Sequence, residues 1–171
     1  MKILVVEDNP DHFELIEQII DDMPDSHDVL RAQTMAEGLS LMSNTPLDVC
    51  LLDLQLPDSS IENTINVVTE RNFTCPIIAL TSINESTFSK TLLEAGVQDY
   101  MPKDEVTVGS LDRACRYAVQ RHHYLSHYEK QTKQMDAFCA SLSHDFLNHI
   151  HCIQQISDIL QTYFALSLIH I

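Results

Sequence analysis

Five short, mostly apolar segments, separated by longer stretches with helical periodicity, restrict this 171-residue chain to few folds. Three of these segments are apolar throughout, whereas a strand with one face in water alternates apolar and polar residues. Such strands are covered on both faces, as in a parallel sheet between two layers of helices. The alternation of strands and helices predicts a doubly wound α/β domain. The predicted strands are Ile3–Val6, Val29–Ala32, Val49–Leu52, Ile77–Leu80 and Val97–Met101.

The first predicted helix has a start signal. Asn9-Pro10 follows the first strand, and this pair is typical of an N-cap residue followed by proline at the first helical position. Apolar residues then recur at helical spacing from Phe13 onward. A similar pattern at Leu92 and Leu93 predicts a helix between the fourth and fifth strands.

Charge divides the chain into two regions. Residues 1–111 hold 20 acidic and 5 basic residues, whereas residues 112–171 hold 5 of each and seven of the nine histidines. We therefore predict an α/β domain over residues 1–121 and a helical segment over residues 122–171. The formal net charge of −15 argues against nucleic acid as a partner, because phosphates would be repelled.

Glycine and cysteine usage excludes several kinds of site. Only three glycines occur, so a Gly-rich loop for nucleotide phosphates is excluded. The five cysteines are odd in number and lack CxxC spacing, so neither a disulfide framework nor a structural zinc site is expected. No apolar run is long enough for a membrane span, and the run near Met1 is too short for a signal peptide. These features predict a cytoplasmic protein.

The last third of the chain lacks proline and glycine, which permits one long helix from Leu111 onward. Apolar residues form a heptad seam, apolar at eight of nine a and d positions from Met135 to Tyr163. A seam of this length is typical of a coiled coil or a helical bundle formed with another chain. We therefore expect a homodimer that forms through residues 122–171.

Polar and charged side chains follow the predicted strands. Glu7 and Asp8 come after the first strand, Asp53 after the third, Thr81 after the fourth and Lys103 after the fifth. The carboxyl ends of parallel strands meet at one edge of the sheet, where α/β proteins bind their ligands. Three carboxylates, a hydroxyl and an ammonium are therefore expected in one crevice.

Three neighbouring carboxylates repel one another unless a cation lies among them. Mg²⁺, a hard ion that prefers oxygen ligands, would relieve the repulsion. One carboxylate would then act as a nucleophile toward a phosphoryl group, while the lysine and the threonine neutralise the transferred oxygens. The crevice predicts metal-dependent phosphoryl transfer.

Four stretches surround these residues in a characteristic order, namely Ile3–Pro10, Cys50–Asp58, Ala79–Ser82 and Asp99–Lys103. Together they make residues 1–121 resemble the receiver domain of bacterial two-component response regulators. The resemblance implies a five-stranded sheet in the order 2-1-3-4-5. It also implies a histidine kinase or a phosphotransfer protein as the partner that donates phosphate.

The resemblance implies a role for each residue of the crevice. Asp53 would be the phospho-acceptor, and Glu7, Asp8 and Asp53 would bind Mg²⁺. The Lys103 ammonium would pair with the phosphoryl group, and the Thr81 hydroxyl would bind the same group. With Asp53, these two residues make up the implied catalytic set.

Two residues, Thr81 and Tyr100, would act as the switch that responds to phosphorylation. The chain departs from the family near this switch, because the family usually has a proline after its lysine. Here Asp104 follows Lys103, and the proline precedes the lysine at Pro102. A cis peptide bond after the lysine is therefore not expected.

The helical segment contains Ser143-His144-Asp145, with Asn148 three residues further on. This stretch resembles the H-box of histidine kinases, which implies His144 as a second candidate phospho-acceptor. In the heptad frame His144 falls at position f, which is the farthest from the seam. The alternative is a solvated surface histidine without a role in phosphotransfer.

The chain as a whole is interpreted as part of a hybrid signalling protein that works in a phosphorelay. No glycine follows Gly109, so an ATP-binding kinase domain is not expected within it. The receiver would catalyse only its own phosphoryl uptake and loss. Two alternatives are a dimerising interaction module that acts without phosphorylation, and a relay between His144 and Asp53.

Overall fold

The structure is a computed structural model that describes residues 1–71, 73–81, 94 and 96–169, with side chains up to residue 161. Its centre is a five-stranded parallel sheet in the order β2-β1-β3-β4-β5. The predicted fold class and strand order are therefore confirmed. The strands are β1 (Lys2–Val6), β2 (Asp28–Ala32), β3 (Val49–Asp53), β4 (Ile77–Thr81) and β5 (Asp99–Pro102).

Four α-helices and one short 3₁₀ helix are described around this sheet. The 3₁₀ helix (Lys103–Glu105) follows β5 directly. The helix predicted at Leu92 and Leu93 lies outside the described residues. The α-helices are α1 (Pro10–Asp21), α2 (Met35–Asn44), α3 (Ile61–Glu70) and α4 (Val108–Ile169), the last a single uninterrupted helix of 62 residues.

Two apolar layers cover the sheet, one on each face, because successive residues of a strand point to opposite sides. In β1, Ile3 and Val5 belong to an apolar cluster with residues of α1 and the first turns of α4. The alternate residues Leu4 and Val6 belong to a second cluster, with residues of α2 and α3. All four are fully buried. Burial on both faces is why this strand has no polar residue after Lys2 at its start.

Side-chain caps determine where the helices begin. Asn9 Oδ1 accepts hydrogen bonds from the backbone N–H groups of Asp11 and His12, at 2.9 and 3.4 Å. Pro10 occupies the first helical position, as predicted. These bonds satisfy two N–H groups that have no partner within the helix.

Helix α4 begins at Val108, three residues before the predicted start at Leu111. Thr107 and Ser110 cap it reciprocally. The Ser110 N–H donates to Thr107 Oγ1 at 3.2 Å, and the Thr107 N–H donates to Ser110 Oγ at 2.9 Å. This pair of bonds satisfies free donors at the helix start, and it explains why the helix begins before Gly109, whereas the prediction began it after that glycine.

Strand β5 was predicted over residues 97–101, and this range is wrong by two residues at its start and one at its end, since the strand spans Asp99–Pro102. The chain turns at Gly96, whose φ of 98° favours glycine. Gln98 then bonds to Ile77 twice, because its side-chain oxygen accepts from the Ile77 N–H and its own N–H donates to the Ile77 carbonyl. Val97 is buried in the core without belonging to the strand.

The chain divides into two compact units, Met1–Tyr124 and Leu125–Ile171. In the first unit, the residues of α4 that face the sheet are buried, among them Leu111 and Cys115. In the second unit, the large apolar side chains are exposed, for example Leu142 at 41 % and Phe146 at 65 %. Among the residues that the structure describes, no helix is long and apolar enough to span a membrane.

The loop after β3 contacts the start of α2 through Asp58. Its two carboxylate oxygens accept hydrogen bonds from the backbone N–H groups of Met35 and Ala36, at 2.8 and 3.0 Å. Desolvation of this exposed carboxylate acts to raise the pKa of Asp58, but these N–H donors outweigh it and lower the pKa below its ordinary value. Asp58 therefore caps a helix that is distant in sequence.

We expect Asp58→Ala to lower the free energy of unfolding by about 1 kcal/mol at neutral pH, as other losses of a helix cap do. Because the folded pKa is lower than the unfolded value near 3.8, the contribution of Asp58 is present above that value and is lost as pH falls through the folded pKa. Urea unfolding at several pH values measures this. Asp58→Asn keeps one acceptor oxygen, so its loss should be smaller at neutral pH, and it should also shrink at low pH because the amide does not titrate while Asp58 of the parent does. An equal loss at pH 3 and pH 7 in Asp58→Ala would contradict the capping role.

Candidate functional site

The carboxyl edge of the sheet brings four of the predicted site residues together. Glu7 directly follows β1, Asp53 is the last residue of β3, and Lys103 begins the 3₁₀ helix after β5. The register of the parallel pairs places Val6 beside Leu52, so Glu7 and Asp53 leave the sheet side by side. The site is therefore a consequence of the strand order 2-1-3.

Three carboxylates form a cluster at this edge. One oxygen from each of Glu7, Asp8 and Asp53 lies within 4.8 Å of the other two. Glu7 is fully buried and Asp53 is 5 % exposed, whereas Asp8 is exposed to solvent. Two buried carboxylates this close repel each other strongly, because they are shielded from water and only a short distance separates them. They require a cation to offset this repulsion.

Lys103 supplies a cation within the protein. Its Nζ lies 2.7 Å from Asp53 Oδ2 and 2.9 Å from Glu7 Oε2. Burial by itself would lower the pKa of Lys103, but the hydrogen bond to Asp53 and the charges of Asp53 and Glu7 raise it above its ordinary value. The ammonium therefore stays charged at neutral pH and joins the two buried carboxylates.

Backbone groups orient the carboxylates. The Gln55 N–H donates to Asp53 Oδ1 at 3.1 Å, which leaves Oδ2 to Lys103. The Asn9 N–H lies 3.4 Å from Glu7 Oε1. Both donors come from the loop that directly follows a strand, so the backbone of each loop holds the carboxylate at the end of that strand.

His12 was not among the residues predicted for the site. It lies in the first turn of α1, and its Nδ1 is 3.3 Å from Glu7 Oε1 and 3.4 Å from Lys103 Nζ. The predicted helix start at Asn9 was the signal that would have found it, because the first turn of that helix begins beside the carboxylates.

Thr81 and Tyr100 make contacts different from those within the charged cluster. The Thr81 hydroxyl is buried, and it donates to the Met101 carbonyl across the β4–β5 pair at a long distance of 3.5 Å. Tyr100 is half-buried and packs on the apolar layer formed by α2 and α3. Ser82, which follows Thr81 in the sequence motif, lies outside the described residues.

An open cleft of about 870 Å³ surrounds the cluster. Its polar wall includes the three carboxylates, Lys103 and His12, and its apolar wall includes Leu15, Ile16 and Leu56. Neither Thr81 nor Tyr100 is among the described residues that line this cleft. The cleft has room for a metal ion and a phosphoryl group beside Asp53.

The chemistry of the donors fits a divalent cation. Each carboxylate offers an oxygen, which is the ligand that Mg²⁺ prefers. Glu7 Oε2 is buried and accepts no directed hydrogen bond, although the Lys103 ammonium lies beside it. A buried oxygen in this condition gains a partner when a cation enters the cluster.

The second candidate acceptor, His144, lies on α4 with its side chain 74 % exposed. Its Nδ1 is 3.2 Å from Asn148 Nδ2 and 3.6 Å from Asp145 Oδ1. The three residues form one exposed group on the helix surface. A reacting imidazole has to be accessible in this way. An ordinary surface histidine is equally exposed, so the exposure fits both alternatives.

The chain matches a known family over most of its first unit. Residues 3–112 match the family model described as the response regulator receiver domain. The match covers more than half of the chain and includes every residue of the charged cluster. The protein therefore belongs to the receiver domain family of two-component signalling, and it has the five-stranded fold of that family.

Two relatives show the range of proteins that contain such a domain. Response regulator protein PilR of Pseudomonas aeruginosa is 30 % identical over 102 residues, which are 60 % of this chain and 22 % of PilR. Sensor histidine kinase GacS of Pseudomonas protegens is 29 % identical over 107 residues, which are 60 % of this chain and 12 % of GacS. The chain thus spans a small part of these longer relatives.

Solved receiver structures have the same fold. A response regulator receiver domain protein from Clostridium thermocellum is 26 % identical, with a TM-score of 0.62, over 72 % of this chain and 98 % of that one. The receiver domain of sensor histidine kinase PA1611 from Pseudomonas aeruginosa is 24 % identical, with a TM-score of 0.59, over 70 % of this chain and 97 % of that one. That second structure contains a magnesium ion coordinated in its active site cleft.

We expect Lys103→Met to lower the free energy of unfolding by about 1–3 kcal/mol in buffer without divalent metal, because it leaves two buried carboxylates without their cation. Urea unfolding measures the loss. Lys2→Met is a matched control, since the ion pair of Lys2 with Asp28 is long, at 3.7 Å, and lies partly in solvent, so its removal should cost less than about 0.5 kcal/mol. A Lys103→Met protein as stable as the parent would show that the lysine does not compensate the carboxylates.

Proposed function

We propose that this protein is a phosphorylatable receiver in a phosphorelay, in which Asp53 accepts a phosphoryl group from a phospho-histidine. The donor would be a histidine kinase or a phosphotransfer protein. One observation carries the proposal, namely that Asp53 ends its strand inside an open cleft with Glu7, Asp8 and Lys103 around it. A nucleophile, ligands for a cation and a fixed positive charge are the components that this reaction requires.

Glu7, Asp8 and Asp53 would hold Mg²⁺, as their oxygen donors and their burial favour. The bound ion would neutralise the phosphoryl oxygens and orient them for transfer. The carboxylates of Glu7 and Asp53 would not have to move to bind the ion, because the sheet and the loop N–H groups already hold them in place. Such preorganisation reduces the cost of reaching the transition state.

The reaction forms a bond between an Asp53 oxygen and phosphorus and breaks the bond between phosphorus and the donor imidazole nitrogen. The leaving imidazole regains a proton from solvent or from its own protein. The Lys103 ammonium, now 2.7 Å from Asp53 Oδ2, would turn to the phosphoryl oxygens as negative charge gathers there. Thr81 would then bind the phosphoryl group with its hydroxyl.

The proposed switch links Asp53 to α4 through Thr81. The hydrogen bond from Thr81 Oγ1 to the Met101 carbonyl is long, at 3.5 Å, so a phosphoryl oxygen would compete with it effectively. Met101 belongs to the apolar cluster that includes Leu111 and Cys115 of α4. A change at Thr81, accompanied by Tyr100 on the neighbouring strand, would therefore reach α4 through packed side chains.

Intact mass after incubation with acetyl phosphate and Mg²⁺ tests the phospho-acceptor. We expect one added phosphoryl group in the parent protein and none in Asp53→Asn. Asp58→Asn is the matched control, since it removes a second carboxylate of the same loop and should still take up phosphate. Uptake that persists in Asp53→Asn would contradict the assignment. No uptake in a folded, Mg²⁺-bound parent would favour the interaction module that acts without phosphorylation.

We also propose that residues 122–171 form a homodimer and act as the dimerisation helix of a kinase-type segment, so that the chain is part of a hybrid signalling protein. The support is the exposure of large side chains at seam positions, where burial of each would contribute about 1.5–3 kcal/mol. Phosphorylation at Asp53 would signal to this segment through α4. The exposed seam residues include Met135, Leu142, Phe146, Ile153, Ile156 and Leu160.

Light scattering of the full chain tests the dimer. We expect a mass twice that of one chain, falling to that of one chain when Leu142→Glu and Ile153→Glu place two charges in the apolar seam. Ser141→Glu is the control, because Ser141 lies outside the seam and its substitution should leave the mass unchanged. A parent protein with the mass of one chain at high concentration would contradict the proposal.

His144 is the proposed second phospho-acceptor, in exchange with Asp53. Its exposure and its contacts with Asp145 and Asn148 support this role. Phosphate on histidine is labile in acid, so a partner kinase and ATP should produce an acid-labile phosphate in the Asp53→Asn protein. The absence of this phosphate in Asp53→Asn would leave His144 as a solvated surface residue.

A further inference from the structure

The exposed apolar face of α4 is wider than the seam that the proposed dimer would cover. Over residues 135–161 the g positions, which lie beside the seam, are Phe138, Asp145, Cys152 and Ile159. Three of these four residues are apolar, and all three are exposed, Phe138 at 59 % and Ile159 at 56 %. We call Phe138, Cys152 and Ile159 the g stripe.

The opposite side of the seam is mostly polar. The e positions of the same range are Asp136, Ser143, Ile150 and Ser157, so only one of these four residues is apolar. The apolar face is therefore widened on one side alone. A face made of a and d is typical of a two-stranded coiled coil, whereas a, d and one flanking position are typical of a helix within a bundle.

The distribution of charge gives independent support. Two-stranded coiled coils usually carry Glu and Lys at e and g, where these residues form ion pairs between the helices. No lysine or arginine follows Lys133, so residues 135–161 cannot form pairs of this kind. An acidic partner would find no lysine or arginine there, and a basic partner would find one carboxylate on the g side, at Asp145. A partner with an apolar surface fits the g stripe best, and every further copy of this chain presents one.

We propose that two of the dimers associate through their g stripes and form a tetramer, with a four-helix bundle over residues 135–161. The inference rests on the proposed homodimer, because the g stripe adjoins its seam. In such a bundle the a, d and g residues face the common core, and the e positions stay in solvent. Identical surfaces that pair about a twofold axis close the assembly, so it stops at four chains.

Sedimentation equilibrium of the full chain, from low to high micromolar concentration, tests the tetramer. We expect the mass of the parent protein to rise from two chains to four. In the double variant Phe138→Glu with Ile159→Glu we expect the mass to stay at two chains, because burial of two unpaired charges opposes the second association. A mass of two chains in this variant also shows that the variant folds and that its seam is intact.

Ala137→Glu with Gln155→Glu is the matched control. It adds the same two charges at exposed residues in positions f and c, away from both the seam and the g stripe. This variant should reach four chains as the parent does. If it stays at two chains, added charge alone prevents the association, and the assignment to the g stripe is overturned.

Each other outcome has a distinct meaning. A parent protein that stays at two chains at every concentration would overturn the tetramer and leave the proposed homodimer intact. A g-stripe variant that still reaches four chains would overturn the inference, and one that falls to a single chain would show that the stripe belongs to the seam. A parent protein with the mass of one chain or of three would contradict the tetramer and the homodimer together.

Discussion

Burial of the sheet on both faces is the constraint on which the rest of the structure depends. All five residues of β3 are buried, up to and including Asp53. Within such a strand an ionic side chain has no water to face, so charges are tolerated only at an edge where a counter-charge is available. The order of the strands brings Glu7, Asp53 and Lys103 to the same edge. The reactive cluster and the apolar core are thus two results of a single topology.

The long helix α4 is in two different physical situations. Its first turns bury Leu111, Ala114 and Cys115 against the sheet, and burial raises the pKa of the Cys115 thiol to about 12. Further along, large apolar residues such as Phe146 stay exposed. A helix derives most of its stability from packing rather than from intrinsic propensity, so the exposed part would gain stability in the proposed dimer. The structure of this segment would then be sensitive to association.

Local patterns in the sequence predicted most of the fold and of the site. Strand positions, the cap at Asn9 and the edge location of Asp53 depend on neighbours in sequence, and these predictions agree with the structure. The predicted start of β5 was wrong because the side chain of Gln98 accepts a hydrogen bond from the Ile77 N–H. A periodic pattern of apolar residues does not predict a contact of this kind between distant segments. The contact of Asp58 with α2 was not foreseen for the same reason. It joins two segments that meet only in the folded chain.

If a metal binds in this cleft as proposed, Lys103 makes its entry an ion exchange. The ammonium is tethered to the chain, so it competes for Glu7 and Asp53 at an effective concentration that dilution of the protein does not change. The two buried carboxylates then share one positive charge, which offsets part of their repulsion. The proposed ion would gain only the difference between its own attraction for the carboxylates and that of the ammonium. Its affinity would be lower for that reason, and the occupied fraction of the site would follow the supply of free cation.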